Sequence, residues 1–193
     1  YKRKESFNMA KIAVILASGF EEIEALTVVD VLRRAEIECQ MVGFDQEVTG
    51  SHGITVKVDE VWSGSLDHFD GIVLPGGMPG AANLRDHEGL IQSLKEAHEQ
   101  GKSLAAICAA PIVLGRAGLL DEKHYTCYDG FEKEIGTGYY VKEAVVQDGH
   151  ILTSRGPATA LAFSYALVNH FGGDAAKLRS GMLYQDVFGT SAP

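Results

Sequence analysis

Short apolar runs alternate along the chain with longer stretches in which apolar residues recur at helical spacing. The runs predict buried strands at residues 11–17, 38–42, 71–74 and 103–107. The longer stretches predict helices at residues 22–35, 87–100, 109–118, 157–171 and 175–188. Strands that alternate with helices form a mostly parallel sheet covered by helices on both faces, so the pattern predicts an α/β fold.

Two further regions have the pattern of hairpins. Apolar and polar residues alternate strictly in residues 54–58, which predicts a hairpin arm or an edge strand within residues 50–61. An Asp-Gly pair separates two runs at residues 141–147 and 151–154, which predicts a second hairpin. The first region is therefore expected outside the centre of the sheet.

The length and composition fit one folded domain, which we expect to span residues 9–193. Hydrophobic residues make up 46% of the 193 residues, enough to form a core without a metal or disulfides. Residues 1–8, YKRKESFN, are interpreted as an N-terminal extension or cloning remnant before a natural start at Met9. No segment approaches the roughly 18 to 20 uninterrupted apolar residues of a membrane span.

Charge and cysteine content narrow the classes of function. The net charge of -9, with acidic residues spread along the chain, argues against binding to nucleic acid or to an anionic membrane. Three cysteines without a CxxC pair predict neither a disulfide framework nor a zinc site, and the histidines have no metal-ligand spacing. We therefore expect a cytoplasmic protein without a metal or cofactor, whose partner is a small molecule or a protein.

The segments that follow three predicted strands, residues 19–24, 75–80 and 108–111, contain the candidate chemistry, because ligands collect at the carboxyl ends of parallel strands. Cys108 lies between LAAI and AAP, at a sharp turn from strand into helix that has the geometry of a nucleophile elbow. Amide groups at a helix start would lower the thiol pKa. The alternative is a small buried cysteine, which we prefer for Cys39 and Cys127.

An acidic residue and two glycines are the expected neighbours of this thiol. Glu24 in GFEEIEA is expected to point over the sheet edge toward Cys108 and to share one proton with it, although acids at a helix start can also simply face water. For Glu21 and Glu22 we prefer the interpretation that they face water. Gly76 and Gly77 allow a turn whose amides face an anion, with Gly77 and Ala109 as oxyanion donors, and a plain tight turn explains the same glycines.

Five motifs together resemble the ThiJ/PfpI superfamily, specifically its branch of parkinsonism-associated protein deglycase and bacterial relatives: GFEEIEA, VDVLRRA, LPGG, AAICAAP and LTSRGP. The resemblance runs from about Met9 to the last helix. It implies a flavodoxin-like three-layer sandwich and a homodimer. It also implies that Cys108 is the reactive cysteine, Glu24 its acidic partner, and Gly76 and Gly77 the oxyanion-type glycines.

The sequence departs from the family pattern at three positions. Ala109 follows the cysteine where the peptidase branch has histidine, and Tyr128, near His124, stands where human-like members have another histidine. His52 stands where relatives have an arginine that approaches the partner subunit, so it is a candidate cross-dimer contact or a solvated loop residue. Arg155 in TSRGP is expected either to support its loop and the dimer contact or to form a surface ion pair.

The leading hypothesis is a cysteine-dependent glyoxalase or deglycase that acts on methylglyoxal, related dicarbonyls or their early adducts without glutathione, metal or nucleotide. Members of the branch that this sequence resembles convert such dicarbonyls into hydroxy acids and are redox-responsive. A redox-sensing stress protein or chaperone, whose Cys108 is oxidised to sulfinate, is therefore the alternative. A peptidase or amidotransferase-like hydrolase is the weaker alternative, because the adjacent histidine is missing.

Overall fold

A seven-stranded sheet runs through the centre of this computed structural model, which describes residues 9–193. The extension expected at residues 1–8 lies outside the described residues. Within residues 9–193 the strands are, in chain order, β1 (Lys11–Leu16), β2 (Glu38–Gly43), β3 (Glu47–Thr49), β4 (Thr55–Lys57), β5 (Glu60–Val61), β6 (Gly71–Leu74), β7 (Ser103–Ile107), β8 (His124–Tyr125), β9 (Tyr139–Tyr140), β10 (Val145–Asp148) and β11 (Ile151–Ser154). The central sheet has the order β10-β11-β7-β6-β1-β2-β5, and its neighbours are parallel except for β10 and β11.

Helices cover both faces of this sheet. Within the same residues they are α1 (Glu22–Arg34), α2 (Gly80–Arg85), α3 (Glu88–Glu99), α4 (Pro111–Arg116), α5 (Glu132–Ile135), α6 (Ala160–His170), α7 (Ala175–Gly181) and α8 (Tyr184–Phe188). Apolar side chains of α1 and α6 pack on one face, and those of α2, α3 and α4 pack on the other. The predicted α/β fold, a three-layer sandwich around a mostly parallel sheet, is confirmed.

The buried strands match the sequence pattern closely. In β1, Ile12 and the four residues after it are fully buried, because helices cover the strand on both sides. The predicted bounds of β6 and β7 agree with the structure, and those of β1 and β2 differ by one residue. A continuous apolar run is therefore a reliable signal for a strand with both faces covered.

Both interpretations of residues 50–61 are realised. Strand β4 pairs with β3 in an antiparallel hairpin, and β5 forms the edge of the central sheet beside β2. The second predicted hairpin exists as β10 and β11, but β10 begins at Val145. Residue 141 instead belongs to the segment after β9, where its N–H donates to the carbonyl of Tyr125 at 2.8 Å.

Three predicted helices are shorter than the sequence pattern indicates. Helix α4 begins at Pro111, because residues 109 and 110 form the turn after β7. Residues 157–159 form a single 3-10 turn before α6. The last predicted helix is divided into α7 and α8 because Leu183 adopts the left-handed conformation, with φ of 61°.

Short elements were not predicted at all. Helices α2 and α5 span six and four residues, and β8 and β9 pair over two residues each. Segments of this length carry less than two turns of apolar periodicity, so no repeating pattern distinguishes them from loops. Across the described residues, no helix combines the length and the apolarity that a membrane span requires.

Candidate functional site

The carboxyl ends of β1, β6 and β7 meet at one edge of the sheet, because these three strands are neighbours in the order β7-β6-β1. The segments after them, residues 19–24, 75–80 and 108–111, therefore lie together as the sequence predicted. A backbone hydrogen bond from Glu21 N–H to the Gly76 carbonyl, 2.9 Å long, links the first two segments.

Cys108 lies at the turn between β7 and α4 in a conformation that side-chain-bearing residues rarely adopt. Its φ is 64°, in the left-handed region. Two hydrogen bonds hold the backbone there: the Cys108 N–H donates to the Ser154 carbonyl at 3.0 Å, and the Tyr128 N–H donates to the Cys108 carbonyl at 2.9 Å. Strained backbone of this kind persists only when its surroundings fix it, and it concentrates at functional sites.

Glu24 is fully buried on the first turn of α1. Its Oε2 accepts the Gly76 N–H at 2.8 Å, while its own N–H donates to Oε2 of Glu21, also at 2.8 Å. Its Oε1 is buried and has no hydrogen-bond partner among the described residues. A carboxyl group in this setting favours the protonated form, because burial penalises the charge.

Gly76 lies between the carboxyl group and the thiol. A Cβ atom at this position would lie 2.6 Å from Glu24 Oε2 and 2.7 Å from Cys108 Cβ, closer than real Cβ contacts. The structure thus brings Glu24, Gly76 and Cys108 together. The Gly76 N–H is already donated to Glu24, whereas the N–H groups of Gly77 and Ala109 act on the Cys108 thiol by lowering its pKa.

Glu24 and Cys108 each affect the pKa of the other. Burial raises the pKa of Glu24 to about 7, opposed by hydrogen bonds with Cys108 and Gly76 and assisted by the charge of Glu21. Burial, followed by the charge of Glu24 and a hydrogen bond with it, also raises the pKa of the Cys108 thiol, although the N–H groups of Ala109 and Gly77 lower it. The prediction of a lowered thiol pKa was therefore wrong in its net direction, because burial and the charge of Glu24 outweigh the N–H groups. Protonation of Glu24 removes its charge from beside the thiol and so lessens the second of these causes.

Glu21 and Glu22, the other two acids at the start of α1, were predicted to face water, and this prediction was wrong. Glu21 and Glu22 are only 7% and 5% exposed. Glu21 caps the helix by accepting the Glu24 N–H, and Glu22 accepts the His52 backbone N–H at 2.7 Å. A cluster of acids directly before an apolar helical run was the available signal, because such residues are typical of N-caps.

His52 lies in the loop between β3 and β4 and pairs with the acids at the start of α1. Its side chain is 70% exposed, and its Nδ1 lies 3.0 Å from Glu22 Oε2. That hydrogen bond raises the pKa of His52. The contact of His52 with a partner subunit stays a prediction, as does the homodimer itself.

Tyr128 and Arg155 line a cavity of about 300 Å³, and Cys108 is not among its lining residues. The Tyr128 ring is half exposed, and its backbone holds the Cys108 carbonyl. Arg155 donates to Asp129 at 2.7 Å. This contact is an ion pair, one of the two alternatives expected for this arginine. His124 instead pairs with Asp148, and Tyr128 rather than a histidine occupies the position next to the elbow.

Ser154 and Asp129 also shape this region, although no sequence pattern indicates them. Ser154 supplies the carbonyl that fixes Cys108, and Asp129 anchors both Arg155 and Lys142. Ser154 acts through its backbone carbonyl, which every residue type has, so the sequence gives no signal for this contact. Cys39 and Cys127 are buried as predicted, and burial raises the pKa of each to about 12.

Comparison with known proteins places this geometry in a family. The model of the DJ-1/PfpI family matches residues 10–170. This chain belongs to the DJ-1/PfpI family. The resemblance inferred from the motifs is thereby confirmed.

Individual relatives agree with this assignment. Protein DJ-1 homolog B of Arabidopsis thaliana is 38% identical over 84% of this chain, which spans only 38% of that relative's length. Deglycase PH1704 of Pyrococcus horikoshii is 32% identical, with coverage of 79% of this chain and 94% of the relative. The solved structure of oxidized Toxoplasma gondii DJ-1 has a TM-score of 0.84 and 35% identity, covering 90% of this chain and 98% of that one. The DJ-1/PfpI fold is therefore shared over nearly all described residues.

Replacing Gly76 with alanine tests the close packing of the site. We expect Gly76→Ala to lower the free energy of unfolding by about 1–3 kcal/mol, because the added methyl group must displace Glu24 or Cys108. Urea denaturation measures this loss. Gly181→Ala is the matched control, since nothing lies within 4 Å of its added Cβ. Wild-type stability of Gly76→Ala would contradict the described geometry.

Proposed function

We propose that the protein is a cysteine-dependent, cofactor-independent glyoxalase or deglycase that acts on methylglyoxal and related dicarbonyls or their early adducts. The observation that carries the proposal is the placement of the Cys108 thiol beside the buried carboxyl of Glu24, whose pKa is about 7. A group with a pKa near neutrality can both donate and accept a proton during turnover. The name of the relative Deglycase PH1704 supports the deglycase form of this proposal.

The first step is addition of the Cys108 sulfur to the aldehyde carbon of the dicarbonyl. A carbon–sulfur bond forms, the carbonyl oxygen becomes an oxyanion, and a proton from the thiol–carboxyl pair completes the hemithioacetal. The N–H groups of Gly77 and Ala109 lower the pKa of the Cys108 thiol, so they are the candidate donors for the developing charge. Gly76 serves a different purpose, since its N–H holds Glu24.

Glu24 then moves a proton between the two carbon atoms. Its carboxylate removes the hydrogen of the hemithioacetal carbon and returns a proton to the neighbouring carbon, so the adduct becomes a thioester of lactate without an external oxidant. Water cleaves the thioester, which releases lactate and restores the thiol. In the deglycase form, the C–N bond of the aminocarbinol on a glycated side chain breaks, the hydroxyl proton passes to the departing amine, and the freed aldehyde adds to Cys108 in the same way.

Methylglyoxal consumption with chiral detection of lactate tests the mechanism. We expect Cys108→Ala and Glu24→Gln each to reduce turnover by at least about 100-fold, because each removes a group used in bond making or proton transfer. The assay needs a buffer without amines or free thiols. Cys39→Ala is the matched control, since Cys39 is buried in β2 away from the elbow. Normal turnover in both site variants would refute the mechanism.

A redox-sensing role is the second candidate, and a specific observation favours it. A carboxyl group with a pKa of about 7 lies next to a thiol whose pKa the N–H groups of Ala109 and Gly77 lower. These donors would stabilise a sulfinate on Cys108. The structural relative from Toxoplasma gondii was solved in an oxidized form, which agrees with this candidate. The hydrolase alternative remains weaker, because Ala109 follows the cysteine.

Intact-mass analysis after mild peroxide treatment tests the redox candidate. Two peroxide molecules would oxidise the thiol to a sulfinic acid and be reduced to two waters, so the protein should gain two oxygen atoms. We expect the gain on Cys108 alone and none in Cys108→Ala. Further oxidation to the three-oxygen product at the same dose in wild type would count against stabilisation of a sulfinate by this site.

A further inference from the structure

A polar cavity of about 340 Å³ lies where the end of α6 meets α7 and α8. Neither Cys108 nor Glu24 lines it. Its lining contains one cationic, one acidic and two amide side chains together with small residues, and the four polar ones are Asn169, Asp174, Arg179 and Gln185. A cavity of this volume is the size of a site for a small molecule.

Arg179 is the lining residue whose surroundings do not account for it. Its Nε is buried and has no hydrogen-bond partner among residues 9–193. Its Nη1 donates to the Ala192 carbonyl at 3.3 Å, which is the one hydrogen bond that this guanidinium makes within the described residues. A buried N–H group without an acceptor is costly, so Nε indicates an acceptor that the described chain does not supply.

The edge of the guanidinium formed by Nε and Nη2 is therefore available to a ligand. Its two parallel N–H groups match the two oxygens of a carboxylate. The rings of Tyr165 and Tyr184, with centroids 5.2 and 6.0 Å from Arg179 Cζ, attract the charge but accept no conventional hydrogen bond. Arg179 forms no ion pair within residues 9–193. Because Arg179 lines the cavity, a small rotation of its side chain brings this edge to a ligand there.

Asp174 contributes the opposite charge to the same cavity without pairing with Arg179. Its Oδ1 accepts the Lys177 N–H at 3.0 Å, so the start of α7 is already capped. Its Oδ2 has no hydrogen bond to any described residue. This carboxylate repels a simple anion from the cavity, whereas a ligand that carries both charges complements both side chains.

Two amide side chains complete the polar lining. Asn169 Oδ1 accepts the Ala175 N–H at 3.4 Å, which orients the amide and leaves its Nδ2 as a donor. The Gln185 side chain makes no hydrogen bond within the part of the chain that the structure describes, although it lines the cavity. Amide groups both donate and accept hydrogen bonds, so they suit an uncharged polar group of a ligand.

We propose that this cavity binds a free α-amino acid with an uncharged polar side chain. The carboxylate of the ligand takes the Nε–Nη2 edge of Arg179, and its ammonium group lies at Asp174. The polar side chain of the ligand faces the amides of Asn169 and Gln185. The site is separate from Cys108, so it does not depend on the function proposed above.

Calorimetric titration of L-glutamine into the full chain tests the site, and we expect one equivalent to bind. Two analogues remove one charge each: glutaramate lacks the amino group, and γ-aminobutyramide lacks the carboxylate. Each should bind at least about tenfold more weakly than L-glutamine, because it leaves Asp174 or Arg179 without its partner.

Two variants divide the ligand in the same way. Arg179→Lys keeps a cation but removes the two-pronged edge, and it should weaken L-glutamine binding by at least about tenfold. Asp174→Asn keeps a good N-cap for α7 and removes the charge. It should weaken L-glutamine binding by at least about tenfold without weakening glutaramate, which has no ammonium group. Circular dichroism and thermal melting verify that both variants fold.

Arg116→Lys is the matched control, because it changes an exposed arginine that pairs with Glu88 and does not line the cavity. Unchanged L-glutamine affinity in this control, together with the two losses, supports the site. The proposal is overturned if the parent chain binds no L-glutamine, or if folded Arg179→Lys binds it as tightly as the parent. It is also overturned if glutaramate binds the parent as well as L-glutamine does, or if Arg116→Lys weakens binding equally.

Discussion

The buried carboxyl group of Glu24, held by the Gly76 N–H beside Cys108, is the contact on which the geometry of the site depends. Removing a carboxylate from water is costly, and this one receives a single backbone hydrogen bond while its other oxygen stays unpartnered among the described residues. The group responds by keeping its proton to about pH 7. Gly76 has to be a glycine for the carboxyl and the thiol to approach each other.

Cys108 adds a second constraint, because its backbone is held in the left-handed region. The Ser154 carbonyl and the Tyr128 N–H fix that conformation from two different segments of the chain. The Ala109 N–H in the same turn and the Gly77 N–H after β6 both lower the thiol pKa. Backbone donors of this kind need no rearrangement when charge develops.

The sequence predicts the parts of this arrangement that depend on local pattern. Apolar runs located β1, β6 and β7, and the rule that parallel strands end at one edge placed Glu24 near Cys108. It does not predict the net shift of the thiol pKa, because that depends on how deeply the fold buries Cys108 and on the charge of Glu24 beside it. Glu21 and Glu22 were assigned to solvent, since only the folded loop around His52 covers them.

The most direct test of this account is a carbon-13 NMR titration of the Glu24 side-chain carboxyl, assigned by comparison with Glu24→Gln. The account predicts a midpoint near pH 7, because burial opposes ionisation and one oxygen lacks a partner. A midpoint near the ordinary glutamate value of about 4.3 would show that Glu24 is fully ionised at neutral pH. That result would contradict a shared proton between Glu24 and Cys108.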